Sequence, residues 1–484
     1  MNPRRRALWL VLAATAALSA CSLAPDYHVP ETPVPERYRE TDEYGAWRSA
    51  EPADQRVRGA WWQVFGDAGL DELQQRAAGA NQDLRAALAR FEQARAQAAY
   101  ARAGFFPEID LNASSTRQRY SRNRPQNTSS TNVGVFTDNL LTADLSYELD
   151  LWGRVRNAAS AADAQARASA ADLQAAQLSL QAELATDYFL LRSYDADKQL
   201  LDDAVAAYEK ALELTSHRFR AGAAAEVDVT QARSQLETAR AQALDTRLKR
   251  AQMEHAIAVL VGAPTETFSV PVKSLDVPAP VIPAGLPSTL LQRRPDIAGA
   301  ERRVAAANAE IGVARAAWFP VFTLGAEFGY EGGNGGSWLT APSRLWSLGP
   351  GLTLPLFDAG ARSARSDEAR ARYDEAAANY RQSVLNAYRE VEDNLAGQQL
   401  LEQERQRQAA AVEAARRTLF HANQRYTNGA VSYLEVVVAQ NSALEAERAL
   451  VDVTVRRLNA SVLLIKALGG EWGADETQQA RGAQ

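Results

Sequence analysis

The sequence predicts an α+β membrane protein with an internal two-fold repeat, in which four β-strands per chain accompany very long α-helices. Three observations support this prediction. The segment RFRAGAAAEVDVTQA at 218–232 returns 207 residues later as RYTNGAVSYLEVVVA at 425–439. The stretch 154–220 contains neither glycine nor proline, which favours one continuous helix about 100 Å long. Four segments of about ten residues alternate between apolar and polar side chains, which is typical of membrane-spanning strands.

The repeat extends beyond these two segments. Gly153 pairs with Gly360 and Gly262 with Gly469 at the same spacing, without a gap. Earlier in each half the spacing becomes 213, because FFP at 105–107 pairs with WFP at 318–320. A six-residue insertion or deletion therefore separates these triplets from the glycines that follow them. A duplication on this scale makes half of the chain the structural unit.

The N-terminal residues 1–20 are predicted to be a signal peptide. Three arginines precede an apolar stretch, 7–18, that is too short to span a bilayer. The sequence LSAC at 18–21 resembles a bacterial lipobox, so we expect Cys21, the only cysteine, to carry a covalent lipid such as palmitate and to anchor the chain. An ordinary export signal followed by a chance cysteine is the alternative. Ser22 after the cysteine suits delivery to the outer membrane.

The charge of the chain and the motifs that it lacks argue against several classes of function. The net charge of −6 argues against nucleic acid as a partner. The four histidines have no metal-ligand spacing, and there is no phosphate-binding loop or nucleophile elbow. We therefore expect no metal, no cofactor other than the lipid on Cys21, and no enzymatic activity.

Proline and glycine divide the mature chain into segments. We expect a lipid-anchored extended N-terminal segment at 21–60, a first repeat at 61–262, a proline-rich equatorial connector at 263–287, a second repeat at 288–470 and a C-terminal tail at 471–484. Within the repeats, helices are predicted at about 68–103, 154–220, 224–261, 288–317, 361–427 and 431–468, with Gly397 as an interruption. Helices of this length normally belong to coiled coils or helical barrels.

The alternating segments predict strands at about 109–120, 139–152, 321–331 and 345–357, with hairpin tips at 120–138 and 331–344. A soluble antiparallel sheet with one wet face is the alternative. Four strands cannot close a barrel, and an open edge in lipid would leave backbone groups unpaired. Two chains would give eight strands and a filled interior, whereas three would give twelve and a lumen. The polar faces of the segments carry Asp, Glu, Ser and Thr, which suit a water-filled interior. We therefore expect a homotrimer, with a twelve-stranded β-barrel that continues into a long periplasmic α-helical barrel.

Several motifs together carry a family resemblance. They are CSLAPDY (21–27), WWQVFGDAGLDEL (61–73), NQDL (81–84), FFP (105–107), YELDLWGR (147–154), RRPDI (293–297), LPLFDAGAR (354–362), RYTNG (425–429) and ALGG (467–470). With these motifs the chain resembles the TolC-like outer-membrane factors, and within them the OprM/NodT-type lipoproteins. The resemblance implies a trimeric channel in the bacterial outer membrane that conducts substrates passively. It also implies partners: a periplasmic adaptor (membrane fusion) protein and an inner-membrane pump of the RND type.

The resemblance also implies a gate. The turns at Gly222 and Gly429 would form the periplasmic tip, and Asp228, Tyr426, Leu434 and Glu435 would occupy gate positions. For Glu435 a capping box with Ser432 is an equal alternative. For Asp228 the gate is favoured, because Ala225 has no hydroxyl with which to cap a helix. Arg218 and Arg425, in last turns, could instead merely complement helix dipoles.

The sequence leaves two other functions open. One is an exit duct for type I protein secretion, which uses the same scaffold. The other is a non-conducting coiled-coil scaffold on the cell surface, although this would not require amphipathic strands in both halves. The transported substrate does not follow from the sequence.

Overall fold

The computed structural model describes residues 22–32, 38–39, 59–121, 134–280, 282, 294–333 and 338–470. The expected signal peptide, Cys21 and the tail 471–484 lie outside these residues, as do parts of the N-terminal segment, the connector and the hairpin tips. In the described part of the chain, seven α-helices and four β-strands follow one another. They are α1 (Ala68–Ala80), α2 (Gln82–Ala103), β1 (Glu108–Gln118), β2 (Phe136–Leu149), α3 (Arg154–Arg220), α4 (Glu226–Leu260), α5 (Pro295–Ala316), β3 (Val321–Gly332), β4 (Arg344–Thr353), α6 (Ala361–Thr427) and α7 (Tyr433–Ala467).

The chain divides into two compact units, each described by itself. Unit 1 comprises Met1–Pro30, Phe91–Ser169 and Ala300–Tyr380, and unit 2 comprises Glu31–Arg90, Ala170–Gly299 and Arg381–Gln484. Unit 1 holds the strands, and unit 2 holds the turns between long and short helices.

The strands of unit 1 form one antiparallel sheet in the order β1-β2-β3-β4. Its register sorts the side chains by face, because neighbours directly opposite each other lie on the same side of a sheet. One row across the four strands is apolar and the next is polar. The apolar row is Ile109, Leu145, Ala326 and Leu348, and the adjacent polar row is Asp110, Asp144, Glu327 and Ser347. The alternation in the sequence therefore becomes one apolar and one polar face.

The strands end earlier than their alternation predicts. Residues 150–152 and 354–357, predicted as strand, lie outside β2 and β4. The reason is a carboxylate that begins the next helix in each case. Asp150 accepts backbone hydrogen bonds from Val155 and Arg156, and Asp358 accepts one from Arg362. Such side-chain acceptors satisfy the free N–H groups of a helix start.

The predicted helix at 68–103 is two helices, because Asn81 interrupts it. The backbone of Asn81 is extended, and its side-chain oxygen accepts the N–H of Leu84 as an N-cap for α2. Its amide also donates to the carbonyl of Leu260. The NQDL motif is therefore a helix break held in place by a long-range bond.

The two long helices match the prediction. Both α3 and α6 contain 67 residues, and α6 passes through Gly397 without the expected interruption. The short helices α4 and α7 contain 35 residues each, and start two residues later than expected. The helix α5 begins at Pro295, after the non-helical Arg294, and not at residue 288 as predicted, because proline suits the first position of a helix; it ends at Ala316, one residue before the predicted end. Among the helices described, none is long and apolar enough to cross a membrane.

The repeated glycines all perform the same task. At Gly222, Gly262, Gly429 and Gly469 the backbone has positive φ, between 65° and 96°. At each, the glycine N–H bonds the carbonyl three residues back, and the next N–H bonds the carbonyl five residues back. This is the Schellman motif, and it ends α3, α4, α6 and α7. The repeat is thus expressed as four equivalent helix ends.

A buried ion network fixes the proline-rich segment of unit 2. Asp195, only 1% exposed, accepts from Arg192 at 2.9 Å and from Arg250 at 2.6 Å. The same arginines donate to the carbonyls of Pro271 and Val270. These long-range bonds give the segment a defined path, although its prolines cannot form a helix.

The RRPDI motif serves helix ends in the same unit. Arg294 is buried and forms ion pairs with Asp296 and Glu390 at 2.6 and 2.7 Å. It also donates to the carbonyl of Ala467, the last residue of α7. One guanidinium therefore links the start of α5 to α6 and to the C-terminal end of α7.

The substitution Asp195→Asn tests the buried network. It leaves the buried Arg192 without a carboxylate and removes one of the two carboxylates that Arg250 contacts, the other being Glu254, so we expect a loss of about 3 kcal/mol in stability. Thermal unfolding measures the loss, and faster hydrogen exchange at 268–275 locates it. Asp202→Asn is the control, because Asp202 forms a half-exposed pair with Lys198 and should change stability by less than about 0.5 kcal/mol. Equal melting temperatures of the two variants would show that the ion network does not stabilise the proline-rich segment.

Candidate functional site

The candidate site is formed by two turns in unit 2. Residues 221–225 join α3 to α4, and residues 428–432 join α6 to α7. Gly222 and Gly429 have φ of 73° and 72°. A Cβ at Gly222 would meet nothing within 4 Å, and one at Gly429 would meet only the end of Arg218, at 3.9 Å. The left-handed backbone, and not a lack of space, therefore requires glycine at both turns.

An aromatic pair forms the core beside the second turn. Tyr426, in the last turn of α6, and Tyr433, the first residue of α7, are 6% and 1% exposed. Their rings meet edge to face with centroids 5.3 Å apart. Burial, together with the neighbouring Tyr426, raises the pKa of Tyr433 to about 12, so its hydroxyl remains neutral at physiological pH. Small and branched side chains complete this cluster: Ala232, Ala422, Val436 and Ala439.

Arg218 connects the two turns. Its guanidinium lies 4.6 Å from the ring centre of Tyr426, a cation–π contact, and Nη1 donates to the Tyr426 carbonyl at 2.8 Å. That carbonyl also accepts the N–H of Gly429. Arg218 does complement the C-terminal end of a helix, as expected, but the helix is α6 and not its own. It therefore holds the end of α3 against the end of α6.

Glu435 is an ion-pair partner and not a cap. Its Oε1 lies 2.6 Å from Nη1 of Arg425, across the second turn. The side chain of Ser432 makes no capping bond, so the capping box that its spacing allowed is not formed. Both charged groups are about half exposed, so the pair contributes at most about 1 kcal/mol.

Asp228, unlike Glu435, does cap its helix. Its Oδ2 accepts the N–H of Ala225 at 3.3 Å, which is the half of a capping box that needs no hydroxyl at the N-cap. The expectation that Ala225 excludes capping by Asp228 is therefore wrong for this half. A role for Asp228 in a gate stays a prediction.

Leu434 faces outward at the same turn. It is 53% exposed, and Val438, one helical turn further, is 58% exposed. The two form a small apolar strip on the surface of α7. Neither belongs to the buried cluster of Tyr426 and Tyr433. The structure thus groups Tyr426 with Arg218 and Glu435 with Arg425, and Leu434 and Asp228 join neither pair.

Sequence reasoning missed two members of this site. Tyr433 has no counterpart in the first half, where Glu226 occupies the equivalent position. Thr215 lies one turn before Arg218, with its Oγ1 3.4 Å from the hydroxyl of Tyr426. The repeat shows that Arg218 and Arg425 occupy equivalent positions in the sequence. Only the structure shows that their partners differ.

In the described residues, no group of His, Cys, Asp and Glu side chains could hold a metal ion. The expected lack of a metal and of a cofactor stays a prediction, as does the lipid on Cys21.

The turn geometry can be tested with one glycine in the turn after α6 and one glycine inside α6. Gly429→Ala places a Cβ on left-handed backbone, so we expect it to cost about 1–2 kcal/mol. Hydrogen exchange of residues 425–433 measures the loss. Gly397→Ala is the control, because its Cβ would lie 3.5 Å from Ala460 in ordinary contact, and a helix interior favours alanine over glycine by about 1 kcal/mol. If Gly429→Ala exchanged as slowly as the unchanged protein, the turn would not depend on glycine.

Comparison with known proteins places this geometry in a family. The model of the family described as "Outer membrane efflux protein" matches residues 73–263 and 286–470. The chain is 35% identical over 474 residues to the probable efflux pump outer membrane protein TtgC of Pseudomonas putida strain KT2440, a match that covers 97% of each chain. It is also 35% identical over 470 residues to outer membrane protein OprJ of Pseudomonas aeruginosa strain PAO1, covering 94% of each.

Similar solved structures agree with this family assignment. The outer-membrane channel OprN superimposes with a TM-score of 0.85 at 32% identity, over 93% of this chain and 100% of that one. The CmeC outer membrane channel of Campylobacter jejuni gives 0.86 at 27% identity, over 96% and 98%. The resemblance carried by the sequence motifs is confirmed, and this chain belongs to the outer membrane efflux protein family.

Proposed function

We propose that this chain is the outer-membrane channel of a tripartite efflux pump, which passes substrates from the periplasmic side to the exterior. The similarity to TtgC over 97% of both chains supports this most directly, since that relative is named as the outer membrane protein of an efflux pump. Its partners would be a periplasmic adaptor and an inner-membrane pump of the RND type. The transported compound follows from neither the fold nor the relatives, because relatives of similar identity are named for toluene and for antibiotics.

The assembly would be a homotrimer. The sheet supports this, because β1 and β4 each have one strand neighbour among the described residues, so their outer edges are left for other chains. In lipid, each unpaired backbone group costs several kcal/mol. Three sheets joined edge to edge would form a twelve-stranded barrel, with the row of Ile109 towards lipid and the row of Asp110 towards the lumen.

The long helices would continue this channel into the periplasm. The matched lengths of α3 and α6, and of α4 and α7, support two equivalent half-units per chain. Cys21 would carry the lipid anchor. Ser22, the next residue, donates to Asn157 in the second turn of α3, which supports a fixed place for the anchor within unit 1.

The two turns would form the periplasmic gate. In this proposal Arg218 on Tyr426 and Arg425 with Glu435 hold the helix ends in the closed arrangement, and Leu434 adds an apolar ring. The partners differ between the turns, so contacts at the tip would repeat three times around the channel and not six. Three copies each of Asp228 and Glu435 would favour cations at the constriction.

Single-channel recording in planar bilayers tests channel and gate together. The full-length protein should have the native mass of a trimer and should conduct ions. Because each chain loses an exposed Glu435 ion pair worth up to about 1 kcal/mol, Asp228→Ala/Glu435→Ala should raise the open population by up to about fivefold per chain and lower the cation preference.

Glu404→Ala is the matched control. It also removes an exposed ion pair with arginine, Arg456, but between α6 and α7 outside the two turns. Its conductance should equal that of the unchanged protein. A double variant with unchanged conductance and cation preference would remove Asp228 and Glu435 from the gate, and a trimer that never conducts would refute the channel.

A further inference from the structure

A cavity of about 240 Å³ lies in unit 1 between the last turn of α5 and the first turns of α6. None of its side chains belongs to the turns described above. Its polar and aromatic lining consists of Arg315, Trp318, Ser363, Ser366, Asp367 and Arg370.

Two guanidinium groups in this cavity have no carboxylate partner among the described residues. Arg315 donates to the backbone carbonyl of Leu23 at 3.2 Å and forms no ion pair with a described residue. Arg370 forms neither a hydrogen bond nor an ion pair within the described part of the chain. Arg362 and Arg372, on the same helix, differ, since they pair with Asp358 and Glu368. Guanidinium groups match phosphate oxygens in geometry and charge, so the cavity is suited to a phosphate group.

The hydroxyl groups add donors of the same kind. The indole Nε1 of Trp318 donates to Oγ of Ser366 at 3.2 Å, so the proton of this hydroxyl remains available to another acceptor. Ser363 lies in the first turn of α6, where the helix dipole favours an anion.

Asp367 gives the cavity a second character. Its carboxylate lies three residues before Arg370 on α6, yet it pairs with no cation within 4 Å among the described residues. A pure phosphate site would be weakened by this negative charge. A ligand that carries a positive group next to its phosphate would use all three charges.

The neighbourhood suggests where such a ligand is found. Trp318 is 49% exposed and lies three residues before β3 begins. Tryptophan prefers the membrane–water interface. The segment after Cys21 also passes here, since Arg315 binds Leu23 and Asn308 donates to the carbonyl of Pro25 at 2.8 Å. If β1–β4 span the outer membrane as proposed, the cavity lies at the level of phospholipid headgroups.

We propose that this cavity binds the phosphoethanolamine headgroup of a membrane phospholipid. The phosphate contacts Arg315, Arg370 and the serine hydroxyls, and the ammonium group contacts Asp367. The volume of about 240 Å³ leaves room for a headgroup of this size. The inference rests on the proposed membrane orientation of the strands.

Native mass spectrometry of the full-length protein in detergent tests the site. Phosphatidylethanolamine, phosphatidylglycerol and inorganic phosphate are titrated separately. We expect phosphatidylethanolamine to bind most tightly and inorganic phosphate to compete poorly. Arg370→Gln should weaken phosphatidylethanolamine binding about tenfold, since it removes a charge-assisted hydrogen bond. Asp367→Asn should abolish the preference over phosphatidylglycerol.

Arg365→Gln is the control, because Arg365 lies on the same helix, is exposed and does not line the cavity. It should bind lipid like the unchanged protein. Equal binding by Arg370→Gln and Arg365→Gln would overturn the proposal. So would inorganic phosphate competing as well as phosphatidylethanolamine, or a preference unaffected by Asp367→Asn.

Conductance of the same preparation separates the two proposals. A protein that conducts but binds no phosphatidylethanolamine refutes only the headgroup site. A protein that binds it with the expected preference but never conducts refutes only the channel.

Discussion

Left-handed backbone at four helix ends is the constraint on which the arrangement of this chain depends. Each of α3, α4, α6 and α7 is followed by a glycine of positive φ. The N–H of this glycine and the N–H of the residue after it donate to carbonyls that have no partner within the helix. An L-residue with a Cβ loses about 1–2 kcal/mol in this conformation. The positions of the glycines therefore set the helix lengths, and equal spacing of the glycines produces helices of equal length in both halves.

Once the helix ends are fixed, the contacts at the turns can differ between the halves. Arg218 and Arg425 occupy equivalent positions, but one lies on the ring of Tyr426 and the other pairs with Glu435. The reason is the aromatic pair, which exists only in the second turn and offers Arg218 a π face and a carbonyl. Two turns with the same backbone conformation thus carry two different sets of contacts, and this asymmetry gives the proposed gate distinct parts.

The sheet follows a separate constraint, that of side-chain period. Because the register places Ile109, Leu145, Ala326 and Leu348 in one row, an apolar face forms without any help from the helices. The strands stop where Asp150 and Asp358 begin the next helices. Near the start of β3, the cavity between α5 and α6 brings together charged side chains from both helices. To this part of unit 1 we assign a lipid headgroup.

The sequence by itself determined the elements whose bonds are local. The 67-residue helices, the glycine-ended turns, the four alternating strands and the family were all predictable, because backbone bonds in helices join residues four apart and strand faces follow a period of two. The break at Asn81, the partner of Glu435 and the capping by Asp228 were not. Asn81 bonds Leu260, and Arg218 bonds Tyr426, 208 residues away. Only the tertiary structure decided these contacts, because capping and pairing compete for the same carboxylates at similar energies of about 1 kcal/mol, and the choice depends on which side chains packing brings within reach.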